Sequence, residues 1–75
     1  MDREALNKEL HDLLRLKIIT LYQVPDLQHR ATIRLLYSLI EDPSRRIKTK
    51  NLQKALITVN TVAKNNSIRF FWTYN

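Results

Sequence analysis

The apolar positions at the start of the chain repeat with the period of an α-helix. Asp2 is a suitable N-cap for a helix beginning at Arg3, because its carboxylate can accept hydrogen bonds from the first turn. Two further apolar residues, Leu16 and Ile19, lie off the main stripe, which indicates contacts on more than one side. The pattern therefore predicts a first helix over about 3–22. Its stripe consists of Leu6, Leu10, Leu13, Leu14, Ile18 and Leu21.

A second apolar stripe follows a break at Pro25. Proline is not tolerated inside a helix, because it lacks an N–H donor and clashes with the preceding turn. Asp26 is the predicted N-cap of a second helix over about 26–41, and the short connection predicts that this helix packs antiparallel to the first. Its apolar positions are Leu27, Ala31, Leu35, Leu36, Leu39 and Ile40, with Ile33 and Tyr37 beside them.

A third stripe begins after a cluster of turn-forming residues at 41–44. Thr49 is the predicted N-cap of a helix over about 50–64, and Asn65 or Asn66 is expected to end it in the left-handed conformation. Its apolar positions are Leu52, Ala55, Leu56, Val59, Val62 and Ala63. The same region is rich in β-branched residues, so a strand paired with the tail in a β-hairpin stays open as an alternative.

The last residues, 67–75, are predicted to form an extended aromatic tail. Ile68, Phe70 and Trp72 are large enough to complete a small core, which is the role we expect for them. Aromatic side chains are also common anchors at protein interfaces. The candidate partner-binding residues are Phe71, Trp72 and Tyr74.

Together these elements predict one small all-α domain over residues 1–75, in which an antiparallel helical hairpin is followed by a basic third helix and the tail. The alternative is an α+β fold with a C-terminal β-hairpin. The chain has 75 residues, no glycine and no cysteine. The lack of glycine argues against phosphate-binding loops and most all-β folds, which use its positive φ. So short a chain buries limited surface and here forms no disulfide, so we expect a homodimer.

Charge divides the chain into two unlike parts. Residues 1–42 contain six Lys or Arg and seven Asp or Glu, whereas residues 43–75 contain seven Lys or Arg and no acid, for a net charge of +6. An acid-free basic half is typical of a protein that binds a negative partner. We expect a nucleic-acid-binding or regulatory protein whose partner is nucleic acid, duplex DNA in particular. The predicted nucleic-acid-binding residues are Arg45, Arg46, Lys48, Lys50, Asn51, Lys54, Lys64 and Arg69.

The main alternative belongs to another class of protein. A small helical inhibitor, immunity protein or adaptor would bind an acidic protein through its apolar helix faces and its aromatic tail. The two hypotheses rank two substitutions in opposite order. Trp72→Ala should harm an adaptor more than Lys50→Ala does, and the reverse should hold for a nucleic-acid-binding protein.

The sequence contains no pattern that predicts a catalytic or metal site. His11 and His29 lack further ligands at helical spacing, and neither stands beside a Ser or Cys nucleophile. We therefore expect no enzymatic activity, no cofactor and no metal. No apolar run approaches the ~20 residues of a membrane span, and the N-terminus lacks a signal-peptide pattern, so we expect a cytoplasmic protein.

Overall fold

The computed structural model describes residues 2–42 and 44–70 of the chain. The all-α prediction is confirmed for these residues, and the β-branched segment 57–62 forms part of a helix rather than a strand. The end of the predicted tail, 71–75, lies outside the described residues. The helices are α1 at Arg3–Tyr22, α2 at Arg30–Glu41 and α3 at Thr49–Asn65.

α1 is the central helix, and both α2 and α3 pack on it. α2 runs antiparallel to α1, as predicted. Near the end of α1, the Tyr22 ring centroid lies 5.4 Å from that of Tyr37. About two turns earlier on α1, Arg15 Nε donates to Glu41 Oε1 at 2.8 Å, at the far end of α2.

α3 runs in the same direction as α1. The side chain of Asn7, near the start of α1, hydrogen-bonds Thr49 at the start of α3. Further along both helices, Lys17 hydrogen-bonds Asn60. The N-termini of α1 and α3 therefore lie at the same end of the molecule, and this positions the candidate site described below.

The core lies along α1, between the apolar sides of the three helices. Its buried hydrophobic residues are Leu14, Ile18, Leu21, Leu27, Ile33, Ile40, Leu52, Val59, Val62 and Ala63. Ile68 and Phe70 pack against this core and are partly buried, which confirms the role predicted for them. Trp72 lies outside the described residues.

The apolar stripe predicted for the second helix is partly wrong. Ile33 and Ile40 are buried, but Leu35 is 63% exposed and Ala31 is also exposed. In an α-helix, a residue two positions away points to nearly the opposite side, so a helix that buries Ile33 leaves Leu35 in solvent.

α2 begins four residues later than predicted, because the connection that precedes it contains two left-handed residues. Asp26 has φ 56° and His29 has φ 69°, and neither value fits a right-handed helix. Asp26 is therefore not the N-cap. His29 occupies that position and makes no side-chain capping bond. Leu27 lies between the two and is buried, which ties the connection to the core.

Both ends of α3 differ from the prediction by one residue. Thr49 is the first helical residue rather than the N-cap, which is Lys48. At the other end, neither predicted asparagine is left-handed, and Ser67 adopts φ 57° instead. Ile68 N–H donates to Ala63 O at 2.8 Å and Ser67 N–H to Lys64 O at 3.1 Å, the Schellman pattern that ends helices.

Asn66 has a different role from the one predicted. Its side chain joins the C-terminal end of α3 to the connection between α1 and α2. Asn66 Oδ1 accepts from Gln28 N–H at 2.9 Å, and Asn66 Nδ2 donates to Gln28 O at 3.1 Å and to Val62 O at 2.8 Å. An amide side chain used in this way fixes the connection without any glycine.

Candidate nucleic-acid interface

A positively charged cleft lies where the N-termini of α1 and α3 meet. Its volume is about 380 Å³. Two of its cations come from the segment that leads into α3, one from the first turn of α3, and one from the first turn of α1. We call it the cationic cleft; its lining residues are Arg3, Asn7, Arg46, Lys48, Thr49 and Lys50.

Asn7 holds the two walls of the cationic cleft together. Its Nδ2 donates to Ile47 O at 2.9 Å and to Thr49 Oγ1 at 3.1 Å. These bonds fix the segment before α3 against α1, so the basic side chains of that segment project from a positioned backbone. The threonine hydroxyl that was predicted to cap α3 is used as an acceptor in this bridge instead.

Hydrogen bonds join Asp42, just after α2, to Ser44 and Arg45. Ser44 donates to Asp42 Oδ1 from its hydroxyl at 2.6 Å and from its backbone N–H at 3.0 Å. These hydrogen bonds from Ser44 favour the charged carboxylate and lower the pKa of Asp42. The backbone N–H of Arg45 donates to Asp42 O at 3.2 Å, and the chain then continues toward the cleft.

No acidic residue of the first turn of α3 neutralises the positive charge of the cationic cleft. The first turn of α3 has no acid, and its N-cap makes no side-chain bond, so the positive end of the helix dipole stays exposed. In the described part of the chain, the ion pair that reaches the cleft joins Arg46 to Glu4 at 3.6 Å. Both side chains of that pair are about three-quarters exposed, so the pair is weak.

The structure brings some of the predicted binding residues together and separates others. Arg46, Lys48 and Lys50 line the cleft. Lys54 follows Lys50 by one turn on the exposed side of α3, and Asn51 and Arg45 are exposed nearby. Lys64 is fourteen residues after Lys50, or about 21 Å along the helix axis, so it lies at the opposite end with Arg69. The three partner-binding candidates Phe71, Trp72 and Tyr74 are outside the described residues.

Arg3 belongs to the cleft but was not predicted. Arg3 lines the cleft because α3 runs in the same direction as α1, and the spacing of apolar residues does not reveal that direction. The only signal in the sequence is its place in the first turn of a helix, where a cation opposes the dipole.

Lys17 was also missed. It is 2% exposed, and its Nζ donates to Asn60 Oδ1 at 2.7 Å and lies 4.8 Å from the centroid of the Phe70 ring. Burial disfavours the charged ammonium and lowers the pKa of Lys17. This residue faces the interface between α1 and α3 and is therefore not one of the cations that meet solvent.

The described residues form neither a metal-binding cluster nor a membrane-spanning helix. Among residues 2–42 and 44–70, no cluster of three or more His, Asp or Glu side chains is placed to hold a metal ion. Over the same ranges, none of the helices combines the length and the apolar character needed to cross a membrane. Comparisons with protein-family models, with curated proteins and with solved structures find no match to this chain.

Proposed function

We propose that this protein binds nucleic acid by holding backbone phosphates at the cationic cleft. The observation that carries the proposal is the convergence of Arg3, Arg46, Lys48 and Lys50 on one cleft at the uncapped start of α3. Helix N-termini with adjacent Lys and Arg side chains are favourable phosphate sites, because N–H groups, dipole and side chains all attract the anion.

The surroundings of the cleft favour a polyanion over a single small anion. No acid follows Asp42 in the chain, so the positive surface continues from the cleft along the exposed side of α3 through Lys54. A polymer of phosphates can contact the whole length of such a surface, and each contact releases a condensed counterion. Duplex DNA has a higher charge density than single-stranded nucleic acid, so it is the form that we expect to bind best.

The test is a salt titration with a fluorescently labelled duplex. Each phosphate that is neutralised contributes roughly −0.9 to the slope of log K against log salt concentration. The double variant K48A/K50A should therefore reduce the steepness of that slope by about 1.8. The matched control is K8A/R34A. It also removes two exposed cations, but neither of these cations lines the cleft. It should leave the slope nearly unchanged.

Two outcomes would contradict the proposal. The first is an absence of binding to duplex DNA at low salt. The second is equal loss in the cleft variant and in the control, which would show attraction to net charge rather than to the cleft. Light scattering on the same samples measures the oligomeric state, for which a homodimer is our prediction.

A further inference from the structure

We propose that the exposed side of α3 reads base edges in the major groove of duplex DNA. This inference rests on the proposed nucleic-acid binding and extends it from phosphate contact to sequence recognition. We call this surface the outer face of α3. It is formed by Lys50, Asn51, Lys54, Ile57, Thr61 and Lys64, all of which are exposed.

The outer face is accessible along its length. The opposite side of α3 buries Leu52, Val59 and Val62 against the core, and α3 packs on α1 rather than extensively on α2. The connection between α2 and α3, residues 42–48, is longer than the three- to four-residue turn of a helix-turn-helix unit. α2 and α3 therefore do not have the arrangement of that unit. An α-helix is about 10–12 Å wide and the major groove about 12 Å, so this helix can enter it.

The side chains on the outer face are those that read base pairs. Asn51 can form a bidentate pair with adenine, and Lys54 can donate to guanine. Ile57 is 66% exposed and offers an apolar surface to a thymine methyl group. The Thr61 hydroxyl donates to Ile57 O at 2.9 Å, so its methyl group and oxygen lone pairs are what the face presents.

Charge distinguishes this face from the exposed side of α1. α1 exposes Glu4, Glu9 and Asp12, which would repel phosphates on either side of a groove. The outer face of α3 has no acid. Its neutral residues Ile57 and Thr61 lie between two sets of cations, Lys50 and Lys54 beside the cleft and Lys64 about 21 Å from Lys50. That arrangement suits a groove whose two edges are lines of phosphates.

The experiment is selection from a random duplex DNA library with the full chain, followed by affinity measurements on the selected duplex and on a scrambled one. We expect a short enriched motif. Asn51→Ala should weaken binding to the selected duplex by about 5- to 160-fold, the range for loss of one bidentate base contact. It should leave binding to the scrambled duplex unchanged.

Ile57→Ala tests the apolar contact, with Leu35→Ala as its matched control. Both side chains are similarly exposed, at 66% and 63%, so neither substitution should unfold the protein, as circular dichroism can verify. Only Ile57→Ala should weaken binding to the selected duplex. Failure to enrich a motif, or equal losses on both duplexes, would overturn base reading but leave salt-dependent binding standing. If no duplex binds at low salt, both proposals fail.

Discussion

The two interfaces of α1 have different chemistry. Toward α2, the buried isoleucines Ile33 and Ile40 and the ring of Tyr37, tilted against that of Tyr22, dominate, and the ion pair of that interface is at its exposed edge. Toward α3, polar side chains reach across the interface, and one of them is a buried ammonium, that of Lys17. The first interface is held mainly by apolar area. The second also requires its polar groups to meet, which specifies one alignment of α1 and α3.

Among the substitutions that test the contrast between the two interfaces, Asn60→Leu is expected to change the free energy of unfolding most. This change removes the acceptor of the Lys17 ammonium and should lower the free energy of unfolding by about 1.5–3 kcal/mol, the range for a hydrogen bond to a charged group. Urea denaturation measures it. Gln53→Leu, at an exposed position of the same helix, is the control and should change stability little.

The double variant K17M/N60L completes the cycle. Because both polar partners are then replaced by apolar groups, most of the lost stability should return. A double variant as unstable as Asn60→Leu alone would show that the bond does not account for the loss.

A smaller effect is expected from pH. Burial lowers the pKa of Lys17 in the folded protein, so below that pKa the folded state bears the cost of a buried charge. As pH rises from the folded pKa toward the unfolded value of about 10.4, the unfolded state binds more protons and the folded state gains stability. Above the unfolded value the cost is gone.

Urea denaturation at several pH values between neutral pH and pH ~11 gives the free energy of unfolding of the wild type and of Lys17→Met. The quantity to compare across pH is the wild-type value minus the Lys17→Met value. Other titrating groups are common to both proteins and cancel in the difference. We expect the difference to shift in favour of the wild type as pH rises. A difference that stays flat would mean that Lys17 keeps its ordinary pKa in the folded state.

The smallest effect is expected at the polar contact between α1 and α2. The Glu41 carboxylate, through its hydrogen bond first and its charge second, raises the pKa of Arg15, but the arginine side chain is 50% exposed. Water and salt screen such a pair. Arg15→Ala should therefore destabilise the protein less than Asn60→Leu does, and the loss should shrink further in high salt. An effect as large as that of Asn60→Leu would erase the contrast between the interfaces.

The sequence predicted which segments of the chain are helical better than it predicted the residues of the candidate site. α1 has its predicted bounds, because Asp2 caps it by accepting from Glu4 N–H and the apolar period is clear. The start of α2 was missed, since left-handed backbone at Asp26 and His29 leaves no trace in apolar periodicity.

Lys17 could have been found from the sequence. It falls at the helical spacing of Leu14 and Leu21, so the period itself places this lysine on the buried side of α1. Asn7, two turns before Leu14, is on the same stripe. A polar residue at a core position of a periodic stripe is thus a signal for a specific interhelical bond. The composition of the cationic cleft was only partly predictable, because Arg3 joins it through the direction of α3.

The alignment of α1 with α3 also has a consequence for the order in which the chain can fold. The bonds that join these helices link residues 40 to 43 positions apart, more than half the length of the chain. Contacts so distant in sequence slow folding relative to helical proteins with local contacts. During synthesis, α1 and α2 emerge before α3 and can pair, but the Lys17 side of α1 has no partner until α3 is made. The nascent protein therefore passes through a state that exposes one side of its central helix.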